Sequence, residues 1–158
     1  MINSNQISLE AKATQFIRQS LIENPMKNPF NVVLRSKAKD TIQLEQDIKH
    51  LYNKTSYKIS KSFRACPVFS LVGFIEKGEC TGLHAHLLIE PPEIGLIEEP
   101  SFKCLLNSVW ITTHFGTEIS YIQSCQSWIG SVFYNSKSRT KLTKPSSAFV
   151  HFGNPYWL

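Results

Sequence analysis

Val68-Phe69-Ser70-Leu71-Val72-Gly73-Phe74-Ile75-Glu76 and Gly82-Leu83-His84-Ala85-His86-Leu87-Leu88-Ile89-Glu90 decide the fold of this 158-residue chain. Each run is rich in β-branched, aromatic and leucine side chains and is bounded by turn residues, the pattern of a strand. The polar stretch between them, Lys77 to Thr81 with Gly78, reads as a turn, so the pair predicts an antiparallel hairpin. Pro91-Pro92 ends the second strand, because proline cannot donate to the ladder. Within that strand His84 and His86 flank one small residue. Side chains alternate faces along a strand, so both imidazoles project from the same face.

Working outward, residues 8 to 23 read as a helix with an apolar stripe of Leu9, Ala13, Phe16, Ile17 and Leu21. Ser8 is placed to cap it and Asn24-Pro25 to stop it. Phe30 to Arg35 is a short β-rich run. Asp40 is placed to cap a second helix with Leu44, Ile48, Leu51 and Tyr52 on one face. Asn53 to Ala65, polar and basic, reads as a loop. Phe102, Leu105, Leu106, Val109, Trp110 and Thr113 follow a clear helical period, with Ser101 as cap and Gly116 beyond the end. Glu118 to Gln123 reads as a short strand. Cys125 to about Arg139 reads as a last helix with Trp128, Ile129, Val132 and Phe133 inward. The tail from Pro145 has no period, and its Phe149, Phe152, Tyr156 and Trp157 are expected to pack back on the body. Interleaved helices and mainly antiparallel strands predict an α+β fold, with helices packed on a central antiparallel sheet.

A hydrophobic content of 42% with 18% charged residues describes one globular domain, residues 1–158, with a real core. No apolar run reaches the roughly 20 residues that a membrane helix needs. The start lacks the pattern of a signal peptide. A soluble, intracellular protein with no membrane partner is expected, with Cys66, Cys80, Cys104 and Cys125 as reduced, mostly buried thiols. The net charge of +5 is unevenly spread. Lys49, Lys54, Lys58, Lys61 and Arg64 fall in a stretch without a single acid, from Ile48 to Ile75. Lys137, Arg139, Lys141 and Lys144 follow Glu118, the last acid of the chain. Such segments suit a polyphosphate backbone, or else form a solvated basic surface.

Same-face histidines can share a divalent cation, and a hard ion also wants an oxygen ligand. In a hairpin the end of one strand lies beside the start of the next, so Glu76 can approach His84 and His86. Glu79 is a rival in the turn. Glu90 lies on the histidine face but about 13 Å along the strand from His86. A Glu-His-His set with open positions fits Mg²⁺ or Mn²⁺ acting on phosphate oxygens. Zinc with Cys80 as a fourth ligand is a second solution, and two core histidines bonded to backbone groups the bland one. On a helix, Tyr134, Lys137 and Lys141 share a face offset from the inward residues. A phenol beside cations can serve as a nucleophile, since charge nearby stabilises the phenolate and the transition state. The alternative is an amphipathic tyrosine at a helix rim. Among the other tyrosines, Tyr52, Tyr57 and Tyr156 have no comparable setting, and Tyr121 stays open as a rival.

These motifs, in this order, resemble the HUH endonucleases, most closely single-domain replication initiators of rolling-circle plasmids and viruses. Phe30 to Arg35 looks like the first, structural strand. His84-Ala85-His86 matches the metal motif, with Glu76 where many viral initiators carry a third ligand, and Tyr134-Asn135-Ser136-Lys137 matches the Tyr-x-x-Lys motif. The resemblance implies a sheet of ferredoxin or RNA-recognition-motif type, with the metal site on the sheet and the tyrosine on a helix beside it. It implies Mg²⁺- or Mn²⁺-dependent nicking and joining of single-stranded DNA at an origin or hairpin. Tyr134 would form a 5′-phosphotyrosine link, with Lys137 steadying the phosphate. Lys54, Lys58, Lys61, Arg64, Arg139 and Lys141 would hold DNA by its backbone.

A host helicase and polymerase would complete initiation, because no phosphate-binding Gly-rich loop marks a fused helicase. With one tyrosine in the motif, repeated rounds would need a homodimer or a different acceptor. The compartment implied is the cytoplasm, or the nucleus for a eukaryotic virus. The N-terminal helix, at about residues 8–24, is extra to the minimal domain. One-tyrosine single-strand transposases of the same superfamily share the His-x-His-Leu-Leu run followed by prolines, but usually carry a glutamine one turn after the tyrosine, where this chain has Ser138. A non-catalytic nucleic-acid-binding module would need exposed aromatics on the central strands, for which Phe69 and Phe74 are the candidates. A metal-dependent phosphodiesterase without a covalent step is a further reading.

Overall fold

A computed structural model describes residues 4–63, 69–78, 82–92, 97–137 and 148–153. Its elements are α1 (Ser4–Glu23), β1 (Phe30–Ser36), α2 (Thr41–Phe63), β2 (Ser70–Gly78), β3 (Gly82–Glu90), α3 (Glu99–Trp110), β4 (Gly116–Ser124), α4 (Trp128–Ser136) and β5 (Ala148–Phe152). The fold is α+β. The five strands form one sheet in the order β4-β1-β3-β2-β5, and every neighbouring pair is antiparallel. From β1 to β4 the order of elements and strands is that of a ferredoxin-like arrangement.

The predicted hairpin forms, with Ser70 opposite Glu90 and Glu76 opposite His84. Strand alternation then sorts the sheet into two faces. Phe30, Val32 and Leu34 of β1, Leu71 and Ile75 of β2, and Ala85, Leu87 and Ile89 of β3 enter the main core with α2 and α3. β2 and β3 approach closely there: a Cβ at Gly73 would stand 2.7 Å from the His86 carbonyl oxygen. On the other face Val72 and Leu88 meet Leu21 of α1 and Val132 of α4 in a smaller cluster. His84, His86 and Glu76 share that second face.

Several expectations are corrected. α2 runs on to Phe63 where a loop was expected. Thr55 and Ile59, buried one and two turns after Leu51, carry its apolar stripe past the basic residues. Asp40 does accept from the Gln43 amide, as expected of a cap. Ser8 lies inside α1, not at its start. Phe16 is exposed, because α1 turns Ile17, Leu21 and Thr14 inward. α3 begins before Ser101, with Pro100 in its first turn and Glu98 at the cap. In α4 the buried residues are Val132, Asn135 and Ser136, whereas Ile129 and Phe133 are exposed. The helix is thus rotated towards its polar residues, which find hydrogen-bond partners on β1 and α1. β5, within the tail without a period, adds an edge strand beside β2 and sets the Phe149 ring tilted against Phe74, centroids 5.3 Å apart. Cys104 is exposed and Cys125 half-buried, contrary to buried thiols. Cys66, Cys80, Tyr156 and Trp157 lie outside the described residues. Among those described, no helix is long and apolar enough to cross a membrane.

Candidate active site on the sheet face beside α4

Hairpin register brings the three candidate ligands together. Glu76 pairs with His84 across β2 and β3, and His86 lies one same-face position further along. The Nε2 atoms of His84 and His86 each lie 2.9 Å from the same Glu76 oxygen, Oε1. The donor atoms of all three residues fall within 4.8 Å of one another, and the side chains are mostly buried. Two imidazole nitrogens and a carboxylate oxygen converging on one point are a donor set that a divalent cation can use. The Nδ1 of His84 reaches the Gly82 carbonyl at 3.3 Å, which orients the ring with Nε2 inward. Glu90 is engaged elsewhere, accepting from the Lys27 amide. Glu79 and Cys80 lie outside the described residues.

Donating a hydrogen bond to the Glu76 carboxylate raises the His84 pKa above its ordinary 6.5; burial and the charge of Arg35 oppose this, and the Gly82 carbonyl and the Glu76 charge add to it. In metal-free protein the folded state therefore holds a proton at His84 that the unfolded chain gives up near pH 6.5. The stability from this pair is complete below that pH and is lost as pH rises through the raised pKa. We expect the His84 ring-proton NMR titration to have its midpoint above 6.5, and Glu76→Gln to bring it down. A midpoint at or below 6.5 in the parent would contradict the geometry. A cation that takes the Nε2 lone pair must displace this proton, so metal affinity should fall as pH drops through the same range.

α4 is held over this face from three sides. Ser127 caps it by accepting from the Gly130 amide at 3.2 Å. The Trp128 indole donates to the Leu21 carbonyl at 2.7 Å, and Arg18 donates to Ser136 at 2.7 Å, both tying α4 to α1. Asn135 donates to Asn31 at 3.3 Å, and Asn31 donates to Ser131 at 3.0 Å, tying α4 to β1. This scaffold sets the Tyr134 ring edge-on to His86, with centroids 6.0 Å apart. Tyr134 is 57% exposed. The Lys137 Nζ lies over the same ring, 3.7 Å from its centroid. A cleft of about 510 Å³ opens beside it, lined by Asn31, Val33, His86, Tyr121, Tyr134 and Asn135 among others. Tyr121 spends its hydroxyl on Gln123 at 2.8 Å.

Comparison with models of known protein families, with curated proteins and with solved structures finds no match.

Of the lysines and arginines expected to hold DNA, the described ones do not gather here. Lys54, Lys58 and Lys61 lie on α2, which covers the opposite face of the sheet from Glu76, His84 and His86. The Lys54 Nζ approaches Thr112 at 3.5 Å. Arg64, Arg139, Lys141 and Lys144 fall outside the described residues. Conversely, Arg35 stands beside His84, because the two are register partners across β1 and β3. Its signal in the sequence was the alternation of Phe30 to Arg35, which puts Asn31, Val33 and Arg35 on one face.

Proposed function

We propose that this chain is a metal-dependent endonuclease of the HUH type, which nicks and joins single-stranded DNA through a 5′-phosphotyrosine intermediate. The observation that carries the reading is Tyr134 standing beside His86, itself one of three convergent metal-ligating side chains. A bound Mg²⁺ or Mn²⁺ would polarise the scissile phosphate. Glu76, His84 and His86 would hold it, with His84 oriented by the Gly82 carbonyl. Tyr134 attacks the phosphorus through its phenolic oxygen. The phosphorus–O3′ bond breaks, O3′ leaves with the electron pair and takes a proton, and the phenol proton passes to solvent. Lys137, next to the ring, offers its charge to the phosphate as negative charge develops. Reversal by a 3′-hydroxyl restores the phosphodiester.

Lys137 one turn after the tyrosine favours a rolling-circle initiator over a transposase, and an initiator would act with a host helicase and polymerase. The non-catalytic binding module loses support, since Phe69 and Phe74 are both fully buried and cannot stack on bases. The test is to incubate the protein with pooled single-stranded oligonucleotides, including hairpin-forming ones, and Mn²⁺. A protein–DNA adduct that survives denaturant, and disappears when the metal is chelated, is expected. Its absence across origin and hairpin sequences overturns the reading.

A further inference from the structure

Arg35 completes a row across the sheet. It pairs with His84 across β1 and β3, and His84 pairs with Glu76 across β3 and β2. Neighbouring strands lie about 4.8 Å apart. Phe30, Val32 and Leu34 are buried on the opposite face, so alternation turns Arg35 to the face of the histidines. Its side chain is 48% exposed. Its contact with Glu118, Nε to Oε1 at 3.6 Å, is one exposed ion pair, which contributes little to stability. Among the described residues the Arg35 side chain makes no other polar contact. The half-exposed guanidinium keeps donors that Glu118 does not take, and its planar fork matches phosphate geometry.

Tyr134 meets the histidine pair at His86, and Arg35 meets it at His84. In-line displacement puts the entering and leaving oxygens on opposite sides of the phosphorus. O3′ therefore leaves on the side away from Tyr134, and Arg35, level with His84 and one same-face position along the sheet from His86, is a cation of the same face that the departing segment can use.

We propose that Arg35, steadied by Glu118, binds a phosphate of the DNA segment that departs with the 3′-hydroxyl. Arg35 exchanges no proton and stays charged throughout; its part is to keep the free hydroxyl end close enough for rejoining. This rests on the nicking reading given above.

The test uses Tyr134→Phe protein, which cannot react, with a short fluorescent oligothymidylate in Mg²⁺ over a salt series. Adding Arg35→Gln should weaken binding about tenfold, as expected for a lost charge-assisted contact. It should also shrink the slope of log affinity against log salt by about 0.7, one phosphate on a single strand. Arg35→Lys should restore the slope but not the full affinity. In reactive protein, Arg35→Gln should release the 3′-hydroxyl fragment faster and rejoin less of it. Circular dichroism and the unfolding midpoint check that the variant is folded. Unchanged affinity and slope in a folded Arg35→Gln overturn this proposal and leave the nicking reading intact. A parent that forms no adduct overturns the nicking reading and the leaving-strand role with it. Loss of binding in Arg35→Gln would in that case still establish the phosphate contact.

Discussion

Tyr134→Phe is expected to abolish the covalent protein–DNA adduct while leaving metal binding and fold unchanged. The substitution removes one oxygen from a half-exposed ring, so the edge-on contact with His86 and the Lys137 ammonium over the ring both persist. What disappears is the atom that forms the bond to phosphorus. Removing the nucleophile of a covalent mechanism costs about 10⁶-fold in rate, below the detection of a gel assay. An adduct that survives Tyr134→Phe would point to Tyr121, the other exposed tyrosine of the cleft, and sink the assignment. His84→Ala and His86→Ala should also lose the adduct, but through weaker metal binding, visible by calorimetry. Lys137→Ala should retain a slow reaction, since a charge-stabilising donor is worth about 10²–10³-fold.

Trp110→Ala should produce the largest loss of stability. Trp110 is fully buried under the β1–β4 pair, at the end of α3. Its indole nitrogen lies 3.1 Å from the Arg35 carbonyl and 3.2 Å from that of Glu118, satisfying both at once. Those carbonyls sit where the β1–β4 ladder slips register, between Val33 and Leu34 and again between Arg35 and Ser36. The indole supplies there the hydrogen bonds that a regular ladder would have made. Truncation leaves a cavity and two unsatisfied acceptors, at a cost of about 3–5 kcal/mol. Against a total of about 5–15 kcal/mol, this removes a large share of the stability. Urea unfolding should report it. A change below about 1 kcal/mol would mean that the site collapses without penalty.

The hairpin and the Glu76–His84–His86 cluster were legible because both depend on the period of two. Once β2 and β3 are strands joined by a short turn, Glu76 and His84 can only be neighbours. The face of α4 was only half legible. Trp128 and Val132 do turn inward as expected, but Ile129 and Phe133, which look like core residues, stay exposed, because Asn31, Arg18 and the Leu21 carbonyl offer hydrogen bonds that draw Asn135, Ser136 and the Trp128 indole to α1 and β1. Those partners are more than a hundred residues away in the chain, beyond any local pattern. The second half of α2 was hidden because only Thr55 and Ile59 mark its buried side amid lysines. β5 is five residues long and carries no local period, so only pairing with β2 defines it.

The two faces of the sheet are unequally secured. α2 and α3 rest on the main core, whereas α1 and α4 rest on Leu21, Val72, Leu88 and Val132 and on a few side-chain hydrogen bonds. Local opening free energies follow buried apolar contact, so this layer should detach before the rest of the domain unfolds. Amide hydrogen exchange would then fall into two tiers, with α4 in the faster one. The residue proposed as nucleophile thus rides on the less stable layer, and α1, though distant in sequence, sets how often it is in place.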